Sequence, residues 1–267
     1  MIGTSAAERW RDQLSRWAIP DHILAAAPAN PHTFSVRRFS DLAAAAQRQP
    51  PTATHRRAIE RLPDGGSVLD VGCGGGAGSL PLADRAGLLI GADESADMLA
   101  AFADAAGRSG VDVGTVEGAW PDAAARAPDA DVVVCLHVVY NVADLAPFVQ
   151  QLHAHARRRV VLEFPDRHPL DWLRPYWQAV HGIERPDGPT DADALEVVAG
   201  LGLAAHHERW QRPNSLAGVD RDDKIAFIRQ RLAVGDDRRA QLGALVDRFG
   251  VPTERTVVTA WWDTDAG

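Results

Sequence analysis

The chain predicts an α/β fold built on a doubly wound, mostly parallel sheet, and three observations carry that expectation. From Ser67 onward, short β-branched runs alternate with Ala-rich stretches of helical period, the pattern of βαβ units. The run Val68-Leu69-Asp70-Val71 leads directly into Gly72-Cys73-Gly74-Gly75-Gly76-Ala77-Gly78, an apolar strand followed by a glycine-rich turn. Residues 1–66 show no strand alternation; apolar residues such as Trp10, Leu14 and Trp17 recur at helical spacing, punctuated by Pro20, Pro28, Pro31, Pro50 and Pro51, which reads as short helices joined by proline turns.

Taken in order, the spacing predicts strands over 67–72, 87–93, 111–117, 131–137 and 159–165, with helices over 77–86, 95–108 and 144–157. A helix over 190–202 then leads to a sixth strand at 203–211, and 255–263, with Val257, Val258, Trp261 and Trp262, makes a seventh. The roughly 40 residues between the last two strands far exceed a hairpin loop. There Ile225, Ile228 and Leu232, then Leu242, Leu245, Val246 and Phe249, recur at helical spacing, which predicts an inserted helical pair. The expected organisation is an N-terminal helical cap over 1–66 and a main domain over 67–267 with a helical insertion at 212–254. A length of 267 residues with 46% hydrophobic residues supports a sizeable core.

Lys plus Arg total 28 against 36 Asp plus Glu, a formal charge of −8. Such a chain offers no long-range attraction to nucleic-acid phosphates or anionic lipid, so a small neutral or cationic partner is the easier case. The basic run Arg157-Arg158-Arg159 reads as a solvated helix end. Cys73 and Cys135 resemble neither a disulfide framework nor a metal site, and the opening residues carry no apolar leader, so a cytoplasmic setting is expected. No apolar run approaches a membrane span. His153 and His155 on a helix, and His206 and His207 on a strand, diverge without a third partner, so no metal is expected.

The glycine tract lets backbone approach a ligand closely and adopt positive φ. Gly72-x-Gly74-x-x-Ala77 also satisfies the dinucleotide fingerprint, so the glycines alone do not choose a cofactor. Asp70, two residues before the first glycine, would repel a pyrophosphate yet suits a ligand bearing an ammonium; alternatively it caps the turn. Asp93 ends the second strand 21 residues after Gly72, the spacing of a carboxylate that accepts ribose hydroxyls, or of a helix N-cap in competition with Ser95.

Val68–Gly78 together with Gly91-Ala92-Asp93-Glu94-Ser95-Ala96-Asp97-Met98-Leu99 closely resembles the first two motifs of class I methyltransferases that use S-adenosylmethionine (SAM), with residues 67–211 following their strand–helix order and Thr256–Asp263 resembling their antiparallel last strand. The resemblance implies a seven-stranded Rossmann-like sheet of order 3-2-1-4-5-7-6, with SAM across the C-terminal ends of strands one to four. It implies that Gly72, Gly74 and Gly76, with Cys73 between them, line the methionyl part, that Asp70 assists its amino end, and that Asp93, followed by Glu94 and Met98, binds the ribose. Ala119 stands where the family often places an adenine-recognising acid, and Trp120 beside it is either a stacking substitute or a core aromatic.

The segment after strand four resembles the one that faces the transferred methyl in small-molecule methyltransferases, which makes His137 and Tyr140 the first catalytic candidates, with His137 also beside the donor. Histidine titrates near neutrality and can take a proton from an acceptor, although a backbone role at the strand end serves equally. Glu163 and His168, at and after the end of strand five, are secondary candidates; alternation over 160–164 also allows Glu163 to be a polar strand end. The expected activity is methyl transfer from SAM to O, N or C of a small molecule by in-line displacement, yielding S-adenosylhomocysteine (SAH), as a monomer or homodimer without nucleic acid or membrane. The alternatives are a SAM-binding regulatory or scaffold protein and an NAD(P)-dependent oxidoreductase. A further expectation is that residues 10–40, with Trp10, Trp17, Phe34 and Phe39, meet residues 168–181, with Trp172 and Tyr176, over the strand ends.

Overall fold

In a computed structural model, which describes residues 5–33 and 35–264, one mixed seven-stranded sheet organises the chain. The strands are β1 (Gly66–Val71), β2 (Ala86–Asp93), β3 (Asp112–Glu117), β4 (Ala130–Leu136), β5 (Ala156–Pro165), β6 (His206–Pro213) and β7 (Glu254–Asp263), in the order β3-β2-β1-β4-β5-β7-β6. The order is the one the resemblance implied. β1 to β5 run parallel, and β7 is antiparallel to both β5 and β6. The central strands are near-continuous apolar runs because both faces are covered: Val68, Leu69, Val132, Val133, Val160 and Val161 are fully buried.

Helices α1 (Ala6–Ser15), α2 (Asp21–Ala26), α3 (Val36–Arg48) and α4 (Ala53–Ile59) precede the sheet. Those that follow are α5 (Ala96–Arg108), α6 (Leu145–His155), α7 (Arg174–His181), α8 (Asp191–Gly200), α9 (Arg221–Arg231) and α10 (Arg239–Phe249). Four of the helix starts have a local cause in a side-chain cap. Ser5 and Glu8 form a capping box for α1, Ser35 caps α3, Thr52 and His55 box α4, and Ser95 caps α5, each satisfying amide donors that a helix start leaves open.

The first 66 residues are spread over three cores rather than gathered into one body. On one sheet face Trp10 of α1 packs with Phe148 and Val149 of α6, Val197 of α8 and Trp262, and its indole N–H donates to Val142 O at 2.8 Å. On the other face Ala43 of α3 and Ala58 of α4 join Phe102 of α5 and Leu80. A third cluster unites Ile19 and Ile23 with Tyr176 and Trp177 of α7, Ile225 and Ile228 of α9 and Leu242 of α10. The predicted helical pair is therefore present, as α9 and α10, and shares its core with α2 and α7. The two aromatic segments do meet: Trp17 stacks on His168 with ring centroids 3.8 Å apart. Phe34 lies outside the described residues. No helix among them is long and apolar enough to cross a membrane.

Three local expectations are corrected. The helix predicted over 77–86 is only a single 3₁₀ turn, Leu80–Leu82, because Gly76, Gly78 and Pro81 deprive the segment of helix formers. The sixth strand begins at His206 and continues through Arg212 to Pro213. Arg159 is not a solvated helix end: β5 starts at Ala156, and Arg159 is buried between Glu60 and Asp263, both at 2.7 Å.

Candidate active site

The glycine loop peels away from β1 at the C-terminal edge of the sheet. Amides of Gly72 and Cys73 both donate to Ala92 O, at 2.8 and 3.1 Å, which ties the loop to the end of β2. Gly72 has φ +71°, and a Cβ built there would lie 2.3 Å from Val138 Cγ2, so no other residue fits without displacing the segment after β4. Gly74, at φ +49°, faces α3: a Cβ there would meet Phe39 Cδ1 at 2.9 Å.

Asp93, half-buried at the end of β2, accepts from Gly74 N–H and Ser95 N–H, each at 3.0 Å and each on a different carboxylate oxygen. One N–H per oxygen leaves acceptor capacity on both. Two spare lone-pair directions beside a backbone that tolerates close approach fit an adenosyl donor with a ribose diol. Glu94 beside it is exposed, while Met98 is buried, with its amide capped by Ser95 Oγ at 3.3 Å.

Other sequence-singled residues occupy different places. Asp70 is only 1% exposed and lies beneath the loop, accepting from Ser79 Oγ at 2.7 Å. Burial pushes its pKa up to about 7, against the pull of Ser79 and with help from the Asp93 charge. Its partner is thus the loop's own exit, not an open ligand surface. Cys73 is buried, and that burial raises its thiol pKa. Ala119 is exposed. Trp120 donates its indole N–H to Phe148 O at 3.4 Å and meets His155 edge-on at 5.1 Å, so its ring packs against α6.

The catalytic candidates divide between the two sheet faces. Tyr140 is buried with Trp10 and His168, and its hydroxyl donates to Pro165 O at 3.1 Å. His168 is stacked on Trp17, its Nδ1 accepts from Leu170 N–H at 3.2 Å, and burial drives its pKa down to about 3. Both belong to the packing of α1 and the loop after β5.

His137 and Glu163 instead come together on the other face. His137 closes β4 at φ 63°, a left-handed conformation that a non-glycine residue adopts at some cost. Its Nε2 lies 2.9 Å from Glu163 Oε1 and 2.7 Å from Arg212 Nη1. Burial lowers the imidazole pKa; Glu163 works against that, and the Arg255 and Arg212 charges reinforce it. Glu163, 1% exposed, would be driven up by burial, but His137, Arg212 and a hydrogen bond from Thr54 bring it down to about 2. Its ionised form is held by Arg212 at 2.6 Å.

A directed chain of donors supports that carboxylate. Trp210 N–H donates to Thr259 Oγ1 at 2.9 Å, Thr259 and Thr54 hydroxyls are 2.7 Å apart, and Thr54 donates to Glu163 Oε2. His55, the next residue of α4, contacts Ala77 O of the glycine loop at 3.1 Å. α4 therefore touches both halves of the site. Sequence reasoning missed Thr54, His55, Arg212 and Arg255. Arg212 stood one residue beyond the predicted sixth strand, and the only signal for Arg255 was its place at the head of the seventh.

Known proteins resemble this chain in sequence and in fold. A family described as "Methyltransferase domain" matches residues 68–159. An uncharacterized protein of Haemophilus influenzae is 35% identical over 209 residues, covering 74% of this chain and 76% of that one. A ubiquinone biosynthesis O-methyltransferase of Rhizobium rhizogenes is 26% identical over 167 residues, covering 55% and 67%. Among solved structures, a putative methyltransferase from Bacillus halodurans shares the fold with a TM-score of 0.54 at 15% identity, covering 85% of this chain and all of that one (100%). With the strand order, the glycine loop and the Asp93 carboxylate already in place, these likenesses identify the chain as a member of the class I SAM-dependent methyltransferases.

Proposed function

We propose that the chain moves the methyl group of SAM to an O, N or C atom of a small molecule bound beside His137. The observation that carries this reading is Asp93, a half-buried carboxylate pinned by Gly74 and Ser95 at the C-terminal end of β2. Gly72, Gly74 and Gly76 would bring backbone against the donor, Asp93 would hold the ribose, and Asp70 would act indirectly by tethering the loop through Ser79. Bound SAM supplies an electrophilic methyl on a sulfonium, open to in-line displacement.

For the chain's own residues this leaves positioning and exclusion of water, contributions that reach ~7–11 kcal/mol in favourable cases. His137 orients the acceptor rather than relaying its proton, since Arg212 and Glu163 both compete for its Nε2. Calorimetry tests the reading: SAH is expected to bind and NADH not. Asp93→Ala should weaken SAH by at least ~10-fold, the loss of a charge-assisted hydrogen bond worth ~1.5–3 kcal/mol. NADH binding without SAH binding would point to an oxidoreductase. SAH binding unchanged in a folded Asp93→Ala protein would remove Asp93 from the donor site.

A further inference from the structure

Arg212 and Arg255 stand directly opposite each other in the antiparallel β6–β7 register. Like charges at such a pair repel, and the cost grows where water is excluded. The neighbourhood compounds it. Arg38, on α3, adds a third guanidinium whose charge, with that of Arg212, opposes the charge of Arg255. Among the described residues, the carboxylate whose charge acts on Arg255 is Glu163, and both of its oxygens are engaged, one by Arg212 and the other by Thr54.

Two buried polar atoms mark the same spot as incomplete: Arg255 Nε and His137 Nδ1 have no hydrogen-bond partner among the described residues. Burial, the Arg212 charge and the Arg38 charge, against Glu163, lower the Arg255 pKa to about 10. Among the described residues, Arg255 Nη2 reaches His137 Nε2, at 3.5 Å, an atom already 2.7 Å from Arg212. A ring nitrogen has one lone pair, so it cannot satisfy both guanidiniums and also donate to Glu163. This surplus of donors occurs in a chain whose net charge is −8, so it is a local arrangement and not a general basic surface.

We propose that Arg212 and Arg255 anchor an oxyanion of the methyl acceptor, which is therefore a small molecule bearing a carboxylate or phosphate group. Planar guanidiniums present paired donors that match such groups, and Glu163 with His137 holds Arg212 in place to receive one. The sign is the opposite of the neutral or cationic partner that overall charge favours. The inference rests on the methyltransferase reading, because it takes the strand ends beside His137 as the acceptor side. The carboxylate of the donor itself is the less suitable occupant: β7 stands three places from β1, about 14 Å across at ~4.8 Å per strand.

The test uses the full chain, at fixed ionic strength set with chloride, with and without saturating SAH. Titration calorimetry with inorganic phosphate, benzoate and the uncharged benzamide reads the site directly. Benzoate or phosphate is expected to bind and benzamide not, and whichever anion binds more tightly names the acceptor's group. Arg212→Gln and Arg255→Gln should each weaken the anion at least 10-fold and leave SAH affinity within 3-fold. Because Arg255→Gln removes a buried repulsion, it should melt no lower than the wild type, and Arg255→Lys should retain part of the anion affinity. The proposal is overturned if the wild type binds neither anion in either state, if both Gln variants bind anion as the wild type does, or if SAH affinity falls in parallel, which would assign the arginines to the donor. A marked fall in melting temperature for Arg255→Gln would also overturn it, by making the pair structural. Absence of SAH binding by the wild type would instead count against the methyltransferase reading, while the anion titrations on the free protein would still decide the oxyanion site.

Discussion

Asp70 shows how a residue prominent in a motif acts through burial. Its carboxyl is sealed beneath the glycine loop with Ser79 as partner, and its pKa is raised from 3.8 to about 7. A raised acid pKa means that stability is full below about pH 3.8 and is lost as pH rises through about 7. The loss above that window is at most on the order of 4 kcal/mol at ~1.36 kcal/mol per unit. Asp70→Asn keeps the shape and an acceptor for Ser79 while removing the ionisation. Urea unfolding should therefore show the variant gaining stability over the wild type between pH 5 and pH 8. A difference that stays flat, or reverses, would mean that Asp70 is ionised in the fold and has a cationic partner.

At the scale of elements, α4 is the joint between the two halves of the site. One turn of helix sends Thr54 to Glu163 on β5 and Thr259 on β7, and His55 to Ala77 in the glycine loop. Thr54 is 1% exposed, so its hydroxyl serves the buried network rather than solvent. Thr54→Val keeps the volume but leaves a buried carboxylate oxygen without its donor, which should cost ~1.5–3 kcal/mol. Chemical denaturation should report that loss with an unchanged dependence on urea. An effect below ~0.5 kcal/mol would show that Glu163 relies on Arg212 and His137 and that α4 docks through its apolar contacts.

For the molecule as a whole, the N-terminal helices bind the three cores together and also reach the glycine loop through Phe39. Trp17 on His168, and Ile23 beside Tyr176 and Trp177, join the segments before and after the sheet's central strands. Donor binding at the loop should accordingly be felt in both. Hydrogen exchange is expected to slow over residues 10–40 and 168–181 when SAH and benzoate are added together, with part of the change in 35–48 from SAH alone. Protection confined to residues 66–98 would show that these helices form a fixed scaffold and that the acceptor is bound without them.

Most of the topology and the glycine-loop half of the candidate site were legible in the sequence because both are written in neighbouring residues. Strand and helix periods decided every β-strand to within a few residues, and Val68–Gly78 with Gly91–Leu99 carried the family resemblance as two unbroken stretches. Local signals failed where local propensity was weak, as at 77–86, or where burial overrode charge, as at Arg159. Tyr140, His168 and Trp120 looked chemical because of what they are, yet their polar atoms are engaged with backbone: the Tyr140 hydroxyl and Trp120 indole N–H donate to carbonyls, and His168 Nδ1 accepts an amide. Only tertiary structure could unite Thr54, His137, Glu163, Arg212 and Arg255, which come from one helix and four strands or strand ends. Their meeting depends on the insertion of β7 between β5 and β6 and on the register that sets Arg212 against Arg255. Sequence period states which face a side chain takes; which partners share that face is set by strand order and register, and those are resolved by the packing energy of the whole sheet.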